Sequence, residues 1–198
     1  MRFILTLILS FSTLGADVAL SVRGHEQPSP NLELMGHGRG VAVSKKHVLT
    51  ARHVLTTSDE SNFRTPQVMV KGKWMSGKVV GHDSHNDIAL IELPEDCLKP
   101  VDVLRIPELE VQGSPGLADP KHRKVTIQAF KTYVEEVKDL ALPQDAGGLS
   151  GSPMMADDHL IGIVSSAGRD SGGIFIVVIG PEPIRKLLEN HIKNDTKE

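Results

Sequence analysis

The chain has 198 residues, a formal net charge of -3 and 4% aromatic residues, enough length for one sizeable domain or two small fused barrels. This composition excludes a disordered or fibrous chain, and the near-neutral charge implies no nucleic-acid or anionic-membrane partner. Cys97 is the single cysteine, so no intramolecular disulfide can form and the fold must be held by its cores and by backbone pairing.

The N-terminus opens with Met1-Arg2, an apolar run from Phe3 to Phe11, and the small residues Gly15 and Ala16. That pattern reads as a secretory signal peptide over residues 1–16, cleaved after Ala16, with Gly15 and Ala19 as the other cleavage positions and an uncleaved anchor as the alternative reading; the apolar run is too short to span a bilayer comfortably. Residues 21–38 are polar and include Gln27-Pro28-Ser29-Pro30, so they read as an extended arm or first loop. Residues 41–43 and 48–50, on either side of a Ser44-Lys45-Lys46 turn, read as a hairpin that leads to His53. A second hairpin is expected from residues 66–70 and 74–80 around Lys71-Gly72-Lys73, followed by a strand over residues 88–93.

Residues 94–100 carry prolines and charges without periodicity, which makes them the boundary between two halves; Cys97, lying there, is read as incidental. The basic run Lys121, His122, Arg123 and Lys124 reads as a solvated turn. Further strands are expected at 109–112, 125–130, 132–137, 160–166 and 174–179, and many short strands between turn residues argue for an all-β fold. Pro181 and Pro183 then open a segment that places Ile184, Leu187 and Leu188 on one helical face, so a C-terminal helix is expected over about 181–193. The residues from Asn194 onward are polar and expected to fray.

Three short motifs carry chemistry. They are Val48-Leu49-Thr50-Ala51-Arg52-His53, Asn86-Asp87-Ile88-Ala89-Leu90 and Gly148-Leu149-Ser150-Gly151-Ser152-Pro153. A hydroxyl attacks a carbonyl well only when an imidazole takes its proton and a carboxylate holds that imidazole in the right tautomer. The candidates are Ser150, His53 and Asp87, in the chain order His, Asp, Ser. Asp83 is a rival carboxylate, but only Asp87 leads directly into an apolar strand. His82 and His85 flank Asp83 and could suggest a metal site, yet no second ligand cluster accompanies them, so they read as loop residues. No metal or organic cofactor is indicated.

These motifs resemble those of the trypsin-like (chymotrypsin-fold) serine peptidases, in a bacterial-type, single-domain form, from about Gly38 to the C-terminal helix. The resemblance implies two six-stranded antiparallel β-barrels, the first over about 36–94 and the second over about 101–180, within a protease domain over 17–198. It implies His53, Asp87 and Ser150 as the catalytic triad, with Ser165 hydrogen-bonded to Asp87. The backbone N–H groups of Gly148 and Ser150 are then the oxyanion hole, directed at charge that develops only in the tetrahedral intermediate. Gln144, Ser166, Ala167 and Gly173 would line the substrate pocket. Asp145 keeps a basic-residue preference open, whereas Val164 stands where many bacterial glutamyl endopeptidases carry a histidine, and small or medium uncharged side chains are the weakly favoured substrates.

Leu149 departs from the family's animal zymogens, which have an aspartate there to pair with a newly cut N-terminus. Leucine cannot make that ion pair, so Leu149 is expected to pack into the second barrel, and signal-peptide removal to be the only obligatory cleavage. The segment Gln112-Gly113-Ser114-Pro115-Gly116 is reminiscent of the high-temperature-requirement proteases, whose appended peptide-binding domain is not seen in this sequence. The expected activity is that of a secreted or periplasmic serine endopeptidase acting on protein or peptide substrates as a monomer. The alternative is a binding protein that keeps the protease fold but is silent or latent. An esterase is disfavoured, because the serine motif does not fit Gly-x-Ser-x-Gly and the histidine precedes the serine.

Overall fold

The computed structural model describes residues 19–29, 32–57, 61–101, 129–133, 148–156, 159–170 and 173–192. The expected signal peptide, the strand at 109–112, the basic run 121–124, Gln144 and Asp145 lie outside them. The first half contains β1 (Leu20–Ser29), β2 (Leu32–Ala42), β3 (His47–Ala51), β4 (Thr65–Val70), β5 (Lys73–Ser76), β6 (Lys78–Asp83) and β7 (Ile88–Glu92). After it come β8 (Ala129–Tyr133), β9 (Pro153–Ala156), β10 (His159–Asp170), β11 (Gly173–Ile179) and the helix α1 (Pro181–His191). The fold is all-β and chymotrypsin-like, closed by a C-terminal helix.

The first sheet has the order β5-β4-β1-β2-β3-β7-β6. Its two outermost strands are neighbours in the chain, separated by Gly77 alone, whose N–H bonds to Pro66 O at 2.9 Å. Lys73–Asp83 is therefore one strand bent at Gly77, paired with β4 through its first half and with β7 through its second. Counted this way, the seven-stranded order is a closed ring of six, and closure removes the sheet edges. The second sheet, among the described residues, has the order β8-β11-β10-β9. Strand β8 runs straight through Lys131, where a break between two strands was expected.

Residues 21–38 are not an arm. They form most of β1 and β2, which pair with each other, while β1 also pairs with β4, so the first barrel begins at Leu20 rather than near residue 36. The usual hydrophobic alternation is missing because small residues occupy the inward positions. A Cβ on Gly24 would come within 2.7 Å of Val54 O, and one on Gly36 would clash with the same oxygen. The short turn bearing His53 packs directly against these strands, and only glycine leaves it room.

Among the described residues, three apolar clusters hold the fold together. Val22, Val48, Leu55, Val68 and Ile91 fill the first barrel, and Leu149, Met154, Ile161, Val164, Ile176 and Val178 fill the second. Between them, Val41, Leu49, Ile88 and Leu90 meet Leu160, Ile163, Ile179 and Ile184. Strands β3 and β7 are buried on both faces, since their alternate side chains enter the first barrel and the junction. Each fully buried Leu or Ile contributes about 1.5–3 kcal/mol of transfer free energy. The link after Glu92 is pinned to the β2–β3 hairpin, with Cys97 N and Leu98 N bonded to Lys45 O at 3.0 and 2.9 Å. Cys97 is half-buried beside Met75.

Candidate active site

His53 sits in a single 3-10 turn, Arg52–Val54, which follows β3 without a break. The turn is tied to the start of β7 because Arg52 N–H donates to Asp87 O at 3.0 Å. Asp87 has φ +51°, a left-handed conformation that a short polar side chain tolerates, and this turns its carboxylate back toward the histidine. Oδ1 accepts the backbone N–H of His53 at 2.9 Å, and Oδ2 lies 2.8 Å from His53 Nδ1. The carboxylate can only accept, so Nδ1 carries the imidazole proton and Nε2 presents a lone pair. That lone pair faces Ser150 Oγ at 2.8 Å.

Asp87 accepts one more bond, from Ser165 Oγ at 2.5 Å. Ser165 reaches it because the β10–β11 register slips between Val164 and Ser166, leaving Ser165 as the extra residue of a β-bulge. Its carbonyl also receives Ser150 Oγ at 3.4 Å. Burial raises the Asp87 carboxyl, but the bonds from His53 and Ser165 and the charge of the imidazole outweigh burial and hold it below its ordinary value of 3.8. The histidine side chain is 46% exposed and the aspartate 26%, so the imidazole opens to solvent while its carboxylate partner lies beneath.

The serine turn is shaped by two glycines in the left-handed region, Gly148 at φ +82° and Gly151 at φ +79°. A Cβ on Gly148 would meet nothing, so glycine is required there for its backbone angle alone. A Cβ on Gly151 would collide with Arg39 O, because the turn packs against the first barrel at that point. Arg39 N–H donates to Ser150 O at 2.7 Å, and Thr50 Oγ1 donates to Arg39 O at 2.6 Å. On the other side, Gly151 N–H donates to Val164 O at 2.7 Å, so both barrels fix the position of Ser150. Leu149 is buried in the second core, as expected for a side chain that anchors the turn by packing.

The sequence motifs thus come together in space. Ser166 and Ala167 are exposed on β10 next to the Ser165 bulge, and Gly173 begins β11 opposite Asp170. Asp83 caps its own loop, accepting His85 N, Asn86 N and Asn86 Nδ2. His82 is exposed and its ring tilts against Phe63. Among the described residues no group of His, Cys, Asp or Glu side chains is arranged to hold a metal ion. Sequence reasoning missed Arg39 and Thr50: the role of Arg39 rests on a main-chain bond to Ser150, far away in the chain, and that of Thr50 on a hydroxyl that holds Arg39 O from the next strand; the Thr50 side chain, in the middle of an apolar strand, was the available signal.

A family profile described as a trypsin-like peptidase domain matches residues 38–163. The chain is 26% identical to a probable periplasmic serine endoprotease, DegP-like, of Hahella chejuensis, in a match covering 84% of this chain and 36% of that protein. It therefore spans about a third of that relative's length. Among solved structures it is similar to the Rv3671c protease of M. tuberculosis. The active form superposes with TM-score 0.53 at 15% identity, covering 87% of this chain and 80% of the other. The inactive form superposes with TM-score 0.54 at 18% identity, covering 88% and 89%.

Proposed function

The chain belongs to the trypsin-like peptidase family, and from that premise we propose that it is a serine endopeptidase in which Ser150, His53 and Asp87 carry the reaction. His53 Nε2 takes the Ser150 proton as Oγ attacks the scissile carbonyl carbon. The resulting oxyanion accepts hydrogen bonds from the N–H groups of Gly148 and Ser150, each donor contributing about 2.7–4 kcal/mol of transition-state stabilisation. Collapse expels the amine, which receives the proton from His53, and water then hydrolyses the acyl ester by the same relay in reverse. Asp87 stays ionised throughout and stabilises the imidazolium, while Ser165 holds Asp87.

The observation that carries this reading is the unbroken series from Asp87 Oδ2 through both ring nitrogens of His53 to Ser150 Oγ, with 2.8 Å at each step. Substrate backbone lies along β10 beside Ser166 and Ala167, with Gln144 and Gly173 completing a pocket for uncharged side chains. In this reading the protein is exported to the periplasm or beyond after loss of residues 1–16 and acts on protein substrates as a monomer; the periplasmic relative supports the export alone. No helix among the described residues is long and apolar enough to cross a membrane.

Labelling of the exported protein with a fluorophosphonate probe, followed by peptide mass mapping, tests the reading. The expected adduct is on Ser150, with the mature chain starting at Asp17, and Ser150→Ala should abolish labelling and lower turnover by several orders of magnitude. A folded protein that takes no label, or a Ser150→Ala variant that hydrolyses peptides undiminished, would refute it.

A further inference from the structure

The outer face of the first barrel carries an unusual stripe. Met35 on β2 and Trp74 on β5 are the exposed large hydrophobic residues among the described residues, at 41% and 37% exposure. Both touch one cation. The Arg23 guanidinium lies 4.2 Å from the Trp74 ring centroid, and its Nη1 donates toward Met35 Sδ at 3.8 Å. Its Nε donates to Gln67 Oε1 at 2.7 Å. Cross-strand pairing sets Arg23 opposite both His37 and Gln67, so β2, β1, β4 and β5 contribute to one continuous surface.

None of the three groups that hold Arg23 is an anion, so its position is set without neutralising its charge. Glu26, on the same strand, is engaged with Arg64 at 3.5 Å. The exposed Lys71 and Lys73 lie at the β4–β5 turn beside Trp74 and add positive charge. A guanidinium held over an aromatic ring is suited to pair with a carboxylate in a fixed geometry, with apolar side chains alongside to receive an apolar neighbour. The location ties the stripe to the serine turn. Strand β2 runs from Met35 through His37 to Arg39, whose N–H is bonded to Ser150 O. At about 3.3 Å per residue, Met35 stands roughly 13 Å from that bond, a distance spanned by about four extended residues.

We propose that this stripe docks an acidic, partly apolar segment of the substrate polypeptide, with Arg23 taking a carboxylate and Met35 and Trp74 receiving the adjoining apolar side chain. The identity of the segment as substrate rests on the peptidase reading above; binding at the stripe can be measured without it. A fixed arginine fork continuous with the strand behind Ser150 favours a peptide over an anionic lipid surface.

Trp74 is the only tryptophan in the chain, so intrinsic fluorescence reports on the stripe directly. In Ser150→Ala protein, where cleavage cannot intervene, a short peptide of glutamate and leucine residues should shift the emission saturably, and its glutamine counterpart should not. The apparent Kd should weaken as salt is raised, and by about tenfold in the added Arg23→Gln variant. Arg23→Lys, which keeps the charge but loses the fork, should fall between them and serves if the glutamine variant does not fold. Equal responses to the two peptides, an arginine variant that titrates like its parent, or a response to phosphatidylglycerol vesicles and not to the acidic peptide would each overturn the proposal. Because the assay needs no turnover, a protein that fails fluorophosphonate labelling can still bind the peptide, and one that labels can still fail to bind it.

Discussion

At Asp87 a left-handed backbone angle, a main-chain bond and two side-chain bonds meet in one residue. Its carboxyl is held below 3.8, so Asp87 contributes stability that is fully present above the unfolded value and is lost as pH falls through the lower folded value. Peptide hydrolysis should therefore show no acid step from Asp87 at its ordinary value of 3.8, because that step lies lower. Asp87→Asn should lower turnover by on the order of 10⁴ by removing the acceptor that holds the Nδ1 proton, and steady-state kinetics against pH measures both effects. His53, Asp87 and Ser150 were legible because each stands in a distinctive local sequence. Arg39 was not, because the group it supplies is a backbone N–H, which every residue but proline has.

Among the elements, β10 shows how a register irregularity acts on a site. Without the bulge, strict alternation would continue past Val164, and Ser165 would not be set apart as the residue whose hydroxyl meets Asp87 and whose carbonyl meets Ser150 Oγ. Ser165→Ala should keep the fold, because the bulge is a backbone feature, and lose one hydrogen bond to a charged group, worth about 1.5–3 kcal/mol. The expected result is a fall of about ten- to hundredfold in kcat and a melting temperature lowered by about 2–4 °C for each kcal/mol lost; an unchanged kcat would assign Ser165 no positioning role. Strands β3, β7 and β10 were readable from their apolar runs. Strand β1 and the part of β2 before Val41 were not, since the glycines that admit the His53 turn erase the alternation by which a strand is recognised.

For the whole molecule, the junction between the barrels places Ser150 against His53, and α1 closes that junction through Ile184 and Leu187. Ile184 is fully buried there, so Ile184→Ala should leave a cavity and lower the unfolding free energy by about 2–5 kcal/mol, read from urea melts. The amino-acid sequence by itself determined the all-β class, the C-terminal helix and the three chemical motifs, because apolar runs, prolines at a helix start and short motifs are local properties of a chain. Only the tertiary structure decided how the bent strand at Gly77 closes the first barrel, how both barrels grip the serine turn, and how Arg23 gathers Met35 and Trp74 on one face. Each depends on contacts between residues distant in sequence, whose partners are chosen by strand register and packing and leave no mark within either segment alone.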